Sequence, residues 1–157
     1  MMRRYIVIGY LVALAMSVGV VLVLGVIVAP VVFHTETLLA VPLARYDAGL
    51  VMTEIFVRSN YWWMAMMIFI ALYEGYDYKM GRKDMGVMGS AAVAVATMAL
   101  FVFYYTPDIL SMQAAHTTDT PLFEKVHFGS ELDFKILLVA LLVLLLRRFG
   151  QLVRPKL

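Results

Sequence analysis

Four long apolar runs separated by short polar stretches set the pattern of the chain. Tyr5 to Phe33 holds 29 residues without a charge, about 43 Å as a helix and long enough to span a bilayer with tilt. It is too long for the ~7–15-residue core of a signal peptide, so the run predicts a retained span despite its Arg3-Arg4 start. Gly9, Ala13 and Ser17 recur every four residues, as do Gly86, Ser90 and Ala94 further on. Such stripes let helices approach closely, and the match predicts that helices 1 and 3 pack together. Pro30 predicts a bend or an end near the outer surface. Residues 60–78 form a second span between aromatic belts, Tyr61, Trp62 and Trp63 at one end and Tyr73, Tyr76 and Tyr78 at the other. Residues 85–105 form an uncharged third span, reached through a basic turn with Gly75 and Gly81 as breakers.

Between the first two spans the pattern changes. Residues 34–60 mix apolar and charged side chains and contain Pro42. Residues 43–58 read first as an outer interfacial helix, with the opening turns of a long second span as the other reading. Thr106 to Pro121 reads as a polar loop, and Thr120-Pro121 as an N-cap with proline at the first helical position. A fourth span then covers about 122–148. The expected architecture is an all-α membrane protein of one domain, residues 1–157. It is a four-transmembrane-helix bundle with an interfacial helix between spans 1 and 2.

The fourth span is the unusual one. Its uninterrupted apolar run, Ile136 to Leu146, holds only 11 residues, whereas a span needs about 20. Counting back 20 from Leu146 reaches His127, so a full span carries His127, Glu131, Asp133 and Lys135 into the outer half of the bilayer. Ionisable groups at that depth are costly and are functional candidates.

Composition narrows the class. The 157 residues are 63% hydrophobic and 15% charged, with no cysteine, and mean hydropathy is +0.86. A soluble domain carries about 25% charge, so this much apolar surface calls for a membrane. The missing cysteine removes disulfides, thiolate metal sites and thiol nucleophiles. With both termini inside, Arg3, Arg4, Lys79, Arg82, Lys83, Arg147, Arg148, Arg154 and Lys156 lie on the inner side, against Arg45, Arg58, Lys125 and Lys135 outside. That division obeys the positive-inside rule and predicts cytoplasmic termini. Eight of the 11 acids fall outside, and an acidic mouth suits cations or protons better than anions. The basic C-terminus and inner turn read as anchors to anionic lipid, not as nucleic-acid patches.

Glu124, His127 and Glu131 share one helix face, which Lys135 extends, while Asp133 points elsewhere. An imidazole between carboxylates can relay protons, ligate a divalent cation or hold haem iron. The plain alternative is a helix end extending into water with its charges solvated. Glu54 and Arg58, four apart, are natural partners for buried charges on helix 4. His34, His116 and His127 on the outer side are the histidines available to a metal. The 12 methionines invite a copper reading, yet methionine is a common gap-filler in apolar helices. No phosphate loop, nucleophile elbow or paired-histidine zinc motif is present, so the reading leans away from an enzyme.

Phe123-x-x-x-His127-x-x-Ser130 before a terminal apolar span, Ala29-Pro30-Val31-Val32-Phe33, Ala48-Gly49, and Glu54-Ile55-Phe56 before Asn60-Tyr61 resemble the transmembrane-protein-205-like family of small four-span membrane proteins. The likeness covers most of residues 9–148, and its bacterial members are filed under a domain of unknown function. It implies a four-helix membrane bundle and a bacterial inner (cytoplasmic) membrane. A weaker similarity, to small four-span haem-binding protoporphyrinogen oxidases and copper-resistance membrane domains, is half met by His127 with Lys135. The first expectation is therefore a cation or small-solute permease or channel, homo-oligomeric in the lipid bilayer. Its outer vestibule is lined by Glu54, Arg58, Glu124, His127, Glu131, Asp133 and Lys135. A haem- or copper-binding redox protein and a non-catalytic accessory subunit are the alternatives.

Overall fold

Prolines and small residues punctuate the helices without breaking them. The computed structural model describes residues 2–153, with side chains from residue 5 onward. Of the expected inner basic set, Arg154 and Lys156 lie outside the described residues, and nothing is described of the Arg3 and Arg4 side chains. Four helices are long and apolar enough to cross a membrane: α1 (Tyr5–Phe33, extending back to Met2), α2 (Arg45–Lys79), α3 (Met85–Ala114) and α4 (Pro121–Val153). Among the described residues there is no strand.

Two of the helices contain a wide π turn, Val23–Val28 in α1 and Phe101–Tyr105 in α3. Each lies just ahead of a proline, Pro30 or Pro107. Proline offers no N–H and its ring clashes with the carbonyl four residues back, and a widened turn gives room for both. The helix therefore continues past Pro30 to Phe33 instead of ending there, and α3 continues through Pro107 to Ala114. The loop expected from Thr106 shrinks to the residues after Ala114. Thr120 caps α4 as expected, its Oγ1 accepting the Phe123 amide at 3.3 Å.

Residues 43–58 do not form a separate helix. From Arg45 the backbone runs without interruption to Lys79, 35 residues, or about 52 Å. Pro42 sits ahead of its start, so the second reading of this stretch is the observed one. The physical reason is that nothing between 45 and 60 breaks a helix: Gly49 is the only poor former, and its place on the far end carries little cost.

The four helices alternate in direction, with α1 against α2 and α4, and α3 between α2 and α4. Helices 1 and 3 are thus not the packed pair that their small-residue stripes suggested. A Cβ on Gly9 would meet nothing within 4 Å, whereas one on Gly86 would come 2.6 Å from the Arg147 guanidinium carbon of α4. The α3 stripe serves α4. The core is a column of Leu14, Trp63, Ile70, Met98, Leu137 and Leu141 at 0% exposure. The outside is also apolar, with Ile68, Leu72, Phe103 and Leu146 more than half exposed. In lipid such an exterior is solvated, and close packing rather than the hydrophobic effect holds the helices together.

The turn from α2 to α3 depends on Gly81, at φ +82°, and on Asp84, which caps α3 by accepting the amides of Gly86 at 2.9 Å and Val87 at 3.1 Å. Those bonds, the Val87 amide foremost, hold the Asp84 carboxyl below the usual carboxylate range. Asp84→Ala is expected to cost about 1 kcal/mol in thermal unfolding of the detergent-solubilised protein. Because the folded-state value is lowered, the contribution is complete above the unfolded-state value and disappears as pH falls through the folded one. The wild type and Asp84→Ala should therefore converge in stability in acid.

Candidate functional site

Two polar layers cross the bundle. The first is near the end that carries the α2–α3 turn. Arg148 of α4, with its side chain 8% exposed, is aimed into the bundle. Its Nε donates to Glu74 Oε1 at 3.0 Å and its Nη2 to Glu74 Oε2, while Nη1 donates to Asp77 Oδ2 at 2.8 Å and Gln151 Oε1 at 2.9 Å. Tyr10 of α1 donates to Glu74 Oε1 at 2.7 Å, and its ring stacks on Tyr73 with centroids 3.9 Å apart. The Arg148 guanidinium lies 5.3 Å from the Tyr73 ring centroid. Arg82 from the turn donates to Asp77 Oδ1. Two carboxylates face two guanidiniums, so the formal charges cancel. Each carboxylate oxygen has a donor, and three helices are joined. This is the arrangement in which a buried ion pair is tolerated.

The second layer is built differently. Asn60 of α2 donates from Nδ2 to Thr106 Oγ1 at 3.1 Å, and Thr106 donates to the Phe101 carbonyl at 2.8 Å. That carbonyl also accepts the Thr106 amide at the end of the π turn. The turn thus presents a hydroxyl to α2, as such bulges often do at functional sites. Phe134 of α4 packs its ring on Phe56, Trp63 and Phe101, at centroid distances of 5.5, 6.0 and 5.2 Å. Next to it in the chain, Asp133 is 5% exposed and forms no ion pair among the described residues. Among the described residues, three buried side-chain polar atoms have no hydrogen-bond partner: Asn60 Oδ1, Trp63 Nε1 and Asp133 Oδ2. Asn60 and Trp63 belong to this layer through Thr106 and Phe134, and Asp133 precedes Phe134 in the chain. Native proteins leave few such atoms, and each calls for an explanation. From α3, Tyr105 lies within electrostatic reach of Asp133, its ring so close to α4 that a Cβ on Gly129 would stand 3.0 Å from it.

Comparison with known protein families finds a match to a family described as Domain of unknown function (DUF4149), over residues 12–118. The chain belongs to that family. No curated protein and no solved structure matches it. In this DUF4149 chain the matched stretch contains Asn60, Trp63, Glu74, Asp77 and Thr106, and α4 with Asp133 and Arg148 follows it.

The residues singled out from sequence divide sharply in this DUF4149 chain. His127 Nε2 and Lys135 Nζ stand 3.3 and 3.6 Å from Glu131 oxygens, with side-chain exposures of 45, 71 and 50% for His127, Lys135 and Glu131. Glu124 is exposed as well. The stripe shares a face as its spacing requires, but that face points out of the bundle. Glu54 and Arg58 pair with each other at 2.8 Å, both exposed, and no bond joins them to α4 among the described residues. Asp133 alone of the set points inward.

The histidines do not assemble. His34 turns to the Pro30 carbonyl at 3.0 Å, His116 lies beside the Tyr46 ring at 5.5 Å, and His127 stacks on Phe123 at 5.7 Å. Among the described residues no group of three His, Asp or Glu side chains could hold a metal. The structure does not bring His34, His116 and His127 together: each sits on a different element and faces its own neighbour.

Sequence reasoning passed over Glu74, Asp77 and Arg148, taking them as the flanks of spans. A signal was present. Glu74 and Asp77 share a face at i, i+3 on one helix, and Arg148 is of opposite sign at the matching end of another.

Proposed function

We propose that this DUF4149 chain is a cation permease or channel whose pathway passes Asp133 rather than the exposed stripe of α4. The observation that carries the reading is Asp133 Oδ2, buried and without a partner. A buried carboxylate needs a proton or a cation to neutralise it, and an intramembrane acid without a fixed counter-ion marks an ion path. The fully paired Arg148 layer, by contrast, has the character of a structural tie. Bacterial inner-membrane placement with both termini cytoplasmic, homo-oligomeric assembly and kinship with the transmembrane-protein-205-like proteins belong to the same proposal. The sequence resemblance and the charge distribution support them.

The test is flux into liposomes under imposed proton, sodium and potassium gradients. Wild type is expected to dissipate at least one gradient, and Asp133→Asn to reduce that rate by tenfold or more, while Glu131→Gln changes it little. Wild-type flux equal to that of empty liposomes under all three gradients would sink the proposal.

A further inference from the structure

We infer that the cation taken up at this layer is a proton, bound on Asp133, with Tyr105 of α3 within electrostatic reach. The inference rests on the permease reading for its physiological sense but not for its chemistry.

The donor set makes the choice. A hard metal cation is held by several oxygens, six to eight for calcium. Here Asp133 Oδ2 is buried without a hydrogen-bond partner, and among the described residues no group of three His, Asp or Glu side chains could hold a metal. Thr106 Oγ1 is already committed, accepting from Asn60 and donating to Phe101. A lone carboxylate cannot dehydrate a metal, yet burial suits its neutral acid form, whose O–H can reach a polar group through one buried water. The step balances simply: hydronium gives its proton to the carboxylate and leaves as water, and release is the reverse.

The surroundings suit a site that gains and loses charge. Phe56, Phe101 and Phe134 wall the layer with rings in mutual contact. Tyr105 is the titratable group of α3 within electrostatic reach of Asp133. On α4 itself, His127, Glu131 and Lys135 occupy the exposed face. Tyr105 is half-buried, so it stands between the layer and the surface and is the natural way in.

Infrared difference spectroscopy of the full-length protein in lipid vesicles, titrated with acid in sodium-free buffer, reads this directly. Wild type is expected to show the C=O stretch of a protonated carboxyl that titrates with pH and is missing from Asp133→Asn. If Asp133→Asn leaves every titrating carboxyl band in place, the proton site is overturned. A midpoint displaced tenfold in proton concentration by added sodium would overturn it too, by showing a metal cation in its place. A titrating Asp133 band in a protein without liposome flux would retire the permease reading and leave the proton site standing.

Discussion

Arg148→Met is expected to lower the stability of the detergent-solubilised protein by about 3–5 kcal/mol, the usual cost of removing one partner from a buried ion pair. The substitution keeps an unbranched apolar stem, shorter than the arginine, and leaves Glu74 with only the Tyr10 hydroxyl among the described residues. Asp77 retains Arg82. Glu74→Gln should therefore rescue part of the loss when combined with Arg148→Met, because it removes the charge left behind. A thermal unfolding series of the wild type, both single variants and the double variant measures the coupling. Equal unfolding temperatures for the wild type and Arg148→Met would mean that the pair contributes nothing. Strictly additive losses would mean that Arg148 and Glu74 are energetically independent.

Asp133→Leu is expected to do the opposite to stability and to eliminate flux. A buried oxygen without a partner carries a desolvation cost of about 1–3 kcal/mol, and an apolar side chain of similar volume removes it. The leucine also has Phe134 and the aromatic wall as neighbours. Higher thermal stability with lost cation flux is the combination expected where a strained group is kept for function. A destabilised Asp133→Leu protein would show instead that the carboxylate is a structural element with a partner in the membrane-embedded state.

The two predictions separate charges that look alike in sequence. Arg147 and Arg148 are adjacent and both end an apolar run, as anchoring cations do. One pairs with Asp84 at 3.5 Å on the surface, and the other enters the bundle. A rotation of about 100° per residue decides it. The same rotation puts Glu131 and Lys135 outside while Asp133 faces Tyr105. Span-length arithmetic drew attention to the charges at this level of α4, but it could not choose the face. Periodicity was the available guide: Val126, Ser130, Asp133, Leu137, Ala140 and Leu144 line one buried face, with Asp133 in register among small and apolar residues. The polar stripe with the more familiar chemistry drew the eye to the other side.

Composition and run length alone determined that this chain forms four apolar helices and little else, because 63% hydrophobic residues in runs of that length leave no other way to satisfy the backbone in lipid. The Thr120-Pro121 start of α4 was equally local, since a cap needs only its own next few amides. What depended on neighbours was not legible. The π turns carried the helices through Pro30 and Pro107, the α3 stripe met α4 instead of α1, and residues 45–60 joined α2. The two polar layers arose only when side chains far apart in sequence, Tyr10, Glu74 and Arg148 in one and Asn60, Thr106 and Asp133 in the other, were set at common levels. Local patterns fix which residues share a face, but only the packing of four helices decides what each face meets.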